Sequence, residues 1–287
     1  MSSSIERRAG PGAEGRGRRG RDELRVGRVR FVMGLRSGPD DPWAHRKGEP
    51  RVFTLLWAVY LMAGAMMTLF AARSLGSPSA RQYQMGSVAM IQIILVGVSL
   101  LWPATRLSQS RPRRVIAATW MDLAAVMIPA QAAIWPMPLL ARWPLEVSAA
   151  LAAWTAGWSV LVGAFVARGM AMGAPMGRTA MMGLIILLTM GGPALGLALG
   201  WRPVGPGAGA MAWSSPFTGV VALTSGPQNL RLDITATQWA WVAAVWALGA
   251  VAWAALAPWV ERGPRATAPP PGWATSGARR SGGGRVR

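Results

Sequence analysis

Two apolar runs decide the fold class: TAMMGLIILLTMGGPALGLALG at residues 179–200 and TQWAWVAAVWALGAVAWAALAPW at residues 237–259. Neither contains a charged residue. Each is long enough to cross a hydrocarbon core of about 30 Å as a helix. Lipid offers backbone N–H and C=O groups no partner, so such runs read as transmembrane helices. Roughly 36 residues separate them, and within that connection lies SPFTGVVALT at 215–224. This stretch is apolar but too short to span. It reads either as a re-entrant or interfacial helix or as a covered loop.

Working outward, four earlier segments share the same character. They run from about Val52 to Ala72, Met85 to Trp102, Val115 to Leu140 and Leu145 to Ala167. Pro129, Pro136 and Pro138 predict that the third is kinked or broken. Pro103 follows Trp102 and marks the expected end of the second. Gly192, Gly196 and Gly200 fall on one face of the fifth, a spacing that lets helices approach closely. The last carries Trp239, Trp241, Trp246, Trp253 and Trp259, more than an interfacial belt needs, so some should pack inside a bundle. The expected fold is an all-α polytopic membrane protein with six spans, filling residues 52–259.

Both ends differ from this core. Residues 1–22 and 260–287 are rich in Gly, Arg and Pro and are expected to be disordered. Between Glu23 and Arg36, Leu24, Val26, Val29, Phe31, Val32, Met33 and Leu35 alternate with arginines. We expect a basic amphipathic helix on the membrane surface, within an arm covering 23–51, although Gly27 and Gly34 weaken it. The other reading is a partly ordered basic tail.

Net charge is +19, from 29 Arg and Lys47 against eleven acidic residues, seven of which precede Val52. The positives cluster in the termini and in loops beside the spans. That suits anionic headgroups better than nucleic acid. With both termini cytoplasmic, the inner segments hold nearly all the arginines. The outer ones hold only Arg73, Arg81, Arg142, Arg202 and Arg231. The connection between spans five and six is then outside.

The inventory of reactive groups is thin. There is no cysteine and a single histidine, His45, expected at the interface. Thiolate metal sites, cysteine nucleophiles and a multi-His centre are excluded. No Walker lysine motif, H-E-x-x-H or G-x-S-x-G occurs. No enzyme activity and no cofactor are expected. Asp122 is the one acidic residue deep in a span. A carboxylate there faces a bundle interior or a watery path, or pairs with Arg113 or Arg114. Gln92 and Gln131 read as interhelical glue, and Glu146 as an ion-pair partner of Arg142 four residues earlier.

The layout resembles the permease subunits of ABC-2-type exporters. In that family an interfacial helix precedes six spans and re-entrant helices lie between the fifth and sixth. Ser215-Pro216-Phe217-Thr218 is similar to the Pro-aromatic step of their outer loop. The resemblance implies a homodimer in the bacterial cytoplasmic membrane, working with a separate P-loop ATPase. It also implies a docking surface on the arm 23–36 or on the loop bearing Arg106, Arg111, Arg113 and Arg114. The competing reading is a non-catalytic six-span scaffold or accessory subunit.

Overall fold

The computed structural model describes residues 23–26, 29–32, 49–74, 80–109, 111–112, 114–172, 174–200, 209–225 and 233–261. The expected disordered tails, His45, Arg113, Arg202 and Arg231 lie outside them, apart from the first two residues of the C-terminal tail.

The protein is an all-α polytopic membrane protein. Among the described residues six segments are long and apolar enough to cross a bilayer: Phe53–Phe70, Arg81–Ser108, Val115–Ala141, Leu145–Ala171, Pro175–Ala198 and Ala236–Val260. Their elements are α1 (Glu49–Ser74), α2 (Ala80–Val96) continued by a π-helical turn (Gly97–Leu101) and α3 (Trp102–Ser108), α4 (Val115–Ile134) with the short α5 (Met137–Ala141), α6 (Leu145–Ala171), α7 (Pro175–Ala198) and α9 (Ala236–Glu261). A 3-10 turn (Ala210–Trp213) and α8 (Pro216–Thr224) lie between α7 and α9.

The N-terminal segment departs from the helix expected there. Glu23–Val26 (β1) and Val29–Val32 (β2) pair as an antiparallel hairpin, with Leu24 opposite Phe31 and Val26 opposite Val29. Val and Phe favour strands, and Gly27 costs a helix about 1 kcal/mol. The local preferences therefore run against the helix.

α6 is the hub. In its most apolar stretch 72% of residues are buried, against 17% for α1, α7 and α9, which places it at the centre with those three outside. It packs most extensively on α9, then on α4, α7 and α8. Small residues make this possible. A Cβ added at Gly157 would lie 3.1 Å from Val245 and Trp246, and one at Gly249 would lie 3.4 Å from the Leu161 backbone nitrogen. The close approach expected at Gly192, Gly196 and Gly200 is divided among separate roles. Gly196 is buried, Gly192 faces Ser214, and Gly200 (φ 68°) follows the α7 C-cap in the left-handed conformation that ends helices.

Tryptophan indoles pin the helices together. Trp57 donates to the Val126 carbonyl (3.0 Å), Trp246 to Ala153 (3.0 Å) and Trp253 to Val160 (2.9 Å).

Candidate functional site

Asp122 lies eight residues past Arg114, about 12 Å of helical rise into the third span. Its Oδ2 sits 2.6 Å from Nε of Arg106, and the two side chains are 1% and 0% exposed. The ion pair is therefore fully desolvated. Arg106 comes from the last turn of α3, beyond the expected end of the second span. That span passes Pro103 because the backbone widens just before it. In a plain α-helix the Pro103 ring would clash with the Ser99 carbonyl, which would also lose its N–H donor. The π turn shifts the pairing, so that the Trp102 N–H donates to the Gly97 carbonyl. The helix then continues to Ser108 and carries Arg106 inward.

The pair is the start of a longer polar chain. Arg106 Nη1 donates to Gln109 Oε1 (3.1 Å). Arg178, at the start of α7, donates from Nη1 to the Gln109 carbonyl (2.6 Å) and from Nε to the Met172 carbonyl (3.3 Å). Asp122, Arg106, Gln109 and Arg178 thus tie spans two, three and five to the end of span four. Charge-assisted bonds of this kind are about twice as strong as neutral ones. The arrangement clamps one end of the bundle.

Three expectations change here. Asp122 pairs with Arg106, sixteen residues before it, a partner the sequence reading did not offer. Arg106 consequently leaves the expected docking loop: it is buried, while Arg111 is half-buried and Arg114 exposed. Glu146 makes no ion pair with Arg142 among the described residues. Arg142 caps α5 at φ 54° and Pro144 is extended, so the two residues do not share a helix and the four-residue spacing has no meaning. Gln131 does act between helices, donating to the Ala152 carbonyl (3.2 Å).

The opposite end of the bundle is closed by α8. Ser215 caps this helix by accepting from the Phe217 N–H (3.2 Å), and its own hydroxyl donates to the Thr189 carbonyl of α7 (2.6 Å). That carbonyl is the one Pro193 orphans, four residues on. Trp154 of α6 donates to the Pro216 carbonyl (3.0 Å). Thr189 lies nine residues before the end of α7, and Trp154 nine residues after the start of α6. Both distances correspond to about 14 Å of rise. The start of α8 therefore sits near half the depth of a bilayer core. Its other end is shallower, where Gln238 in the first turn of α9 donates to the Ala222 carbonyl (3.2 Å). Ser215, Pro216 and Thr218 are buried and Phe217 is half-buried.

No known protein family, curated relative or solved structure matches the chain. Its reading therefore rests on this geometry. Among the described residues there is no group of three side chains able to hold a metal ion. The residues that sequence reasoning missed are Gln109 and Arg178. Their bonds run to backbone carbonyls or along the loop, so no residue pattern announces them. Arg106 had a weak signal: Leu107 and Trp102 are both apolar and buried, which extends the apolar face past Pro103.

The Ser215–Thr189 bond yields a double-mutant prediction. Ser215→Ala strands a buried carbonyl and should destabilise the protein by about 1–3 kcal/mol. In a Pro193→Ala background the new N–H at 193 serves Thr189. The same Ser215→Ala change should then cost only the lost cap, about 1 kcal/mol. Thermal unfolding in detergent of the four proteins measures the coupling, and strictly additive losses would refute it.

Proposed function

We propose that this chain is the membrane-spanning permease subunit of an ABC-2-like exporter, driven by a separate ATPase. The observation that carries this reading is α8. A nine-residue helix dips from the connection between spans five and six to about mid-depth and is sealed there by Ser215 and Trp154. We read it as a re-entrant helix on the outer side, closing the exit. The clamp of Asp122, Arg106, Gln109 and Arg178 then lies on the cytoplasmic side, both termini are cytoplasmic, and Arg111 and Arg114 face the ATPase.

Affinity purification from native membranes in mild detergent tests the assignment. A stoichiometric P-loop ATPase is expected. Its absence, from a preparation that preserves a known transporter complex, would favour the scaffold reading. Orientation is tested separately. Ser225→Cys in this cysteine-free chain places an exposed thiol at the end of α8. An impermeant thiol reagent should label it from outside, and labelling only from the cytoplasmic side would overturn the topology.

A further inference from the structure

We propose that the notch between α1, α2 and the α4–α5 break binds one acyl chain of an anionic phospholipid, with its phosphate held at Arg81 and Arg142. The notch is a cavity of about 140 Å³ whose lining includes Ala65, Thr68, Tyr83, Met90, Ala133 and Leu140. An apolar cavity of roughly this size takes up a ligand as small as benzene. It suits a stretch of hydrocarbon and is too small for a headgroup. All of its lining belongs to membrane spans, so the molecules at its opening are lipid tails.

The lining is graded along the helices. Met90, Ala65 and Ala133 lie at the deep end. Tyr83 and Leu140 lie at the shallow end, seven residues from Met90 and Ala133 respectively, or about 10 Å along a helix. Just beyond the shallow end the charge appears. Arg81 and Gln84 share a face of α2, three residues apart. Gln84 donates to the Ala141 carbonyl (3.2 Å), next to Arg142. One hydrogen bond thus joins the two backbone segments that carry these arginines. Both arginines are exposed, and neither has an ion-pair partner among the described residues. Arg142 also holds φ 54°, a left-handed cap that usually falls to Gly or Asn.

Hydrocarbon gains little by moving from lipid to a protein cavity, because both surroundings are apolar. Selectivity must come from the headgroup: guanidinium groups bind phosphate oxygens in a fork geometry, and two exposed arginine charges favour a phosphate that no headgroup ammonium balances.

The test uses the full chain in phosphatidylcholine vesicles containing a little phosphatidylglycerol or phosphatidylethanolamine with a diazirine part-way along one acyl chain, at the depth of the notch. Photolabelled residues are mapped by mass spectrometry. Labelling should concentrate on the notch and favour phosphatidylglycerol. Ala133→Phe and, independently on another helix, Ala65→Phe should fill the cavity and remove that labelling. Arg81→Gln with Arg142→Gln leaves the cavity intact and should cut the preference for the anionic lipid about tenfold. Labelling spread evenly over the exposed faces of α1, α7 and α9 would overturn the site. Labelling of the notch without headgroup preference would overturn its assignment to an anionic lipid.

Discussion

Asp122→Leu alone should destabilise the protein by about 3–5 kcal/mol, the usual penalty for stranding one buried charge. The side chains of Arg106 and Asp122 are 0% and 1% exposed, so water cannot take over when one is lost. The double variant Arg106→Met with Asp122→Leu removes both charges and fills similar volume. It should recover most of the loss, because desolvating two ions costs about as much as their attraction returns. Thermal unfolding in detergent, read by loss of the monodisperse species, compares the three proteins. Recovery would mark the pair as structural cement. A double variant that is stable but inactive in the reconstituted complex would show that the charges serve the working cycle. A double variant as unstable as the single one would refute the charge-balance account. Asp122→Asn adds a finer probe. It keeps the shape but leaves the guanidinium charge uncompensated, so reduced abundance is expected before any specific loss of activity.

Gly219→Ala is the second large effect. A Cβ at this position would collide with the six-membered ring of Trp154. That ring cannot swing away: Trp154 is wholly buried, holds the Pro216 carbonyl, and packs edge-on against both Trp158 and Trp213. One methyl group should therefore cost about 1–3 kcal/mol by overpacking and push α8 out of its seat. The displacement can be read with a cysteine at Thr218, a buried position in α8. It should be unreactive to a water-soluble maleimide in the parent and reactive in the Gly219→Ala background. Trp154→Phe trims the offending ring and should restore protection, at the expense of the indole hydrogen bond. Equal protection in both backgrounds would mean that α8 tolerates the methyl group and that the glycine has no steric duty.

Composition and hydropathy were enough to recognise six spans, because runs without charge have one stable setting. The short apolar stretch after Ser215 was also visible, but its depth was not. Depth depends on Ser215 meeting a carbonyl freed by Pro193, a contact between two segments that no local pattern couples. The ion pair was half legible. Asp122 stood out as a deep charge, whereas Arg106 was hidden behind Pro103, which normally stops a helix. The π turn that removes this obstacle is a tertiary accommodation. Glu146 and Arg142 failed for the opposite reason, since their spacing looks helical but the chain between them is not. The segment 23–32 shows how a mixture of Val, Phe and Arg around a glycine supports both a helical and an alternating pattern, and there the alternating one won.

The Ser215–Thr189 bond also fixes an order of events during synthesis. Ser215 lies 22 residues beyond Pro193, and ribosomes add about 5–20 residues per second. The fifth span, which ends at Ala198, is thus complete for roughly one to three seconds before its carbonyl can meet the hydroxyl that satisfies it. During that interval the Thr189 oxygen must be served by water or by the insertion machinery. The last connection then acts as a plug delivered late, and α7 reaches its resting state only after the chain downstream of it has been made.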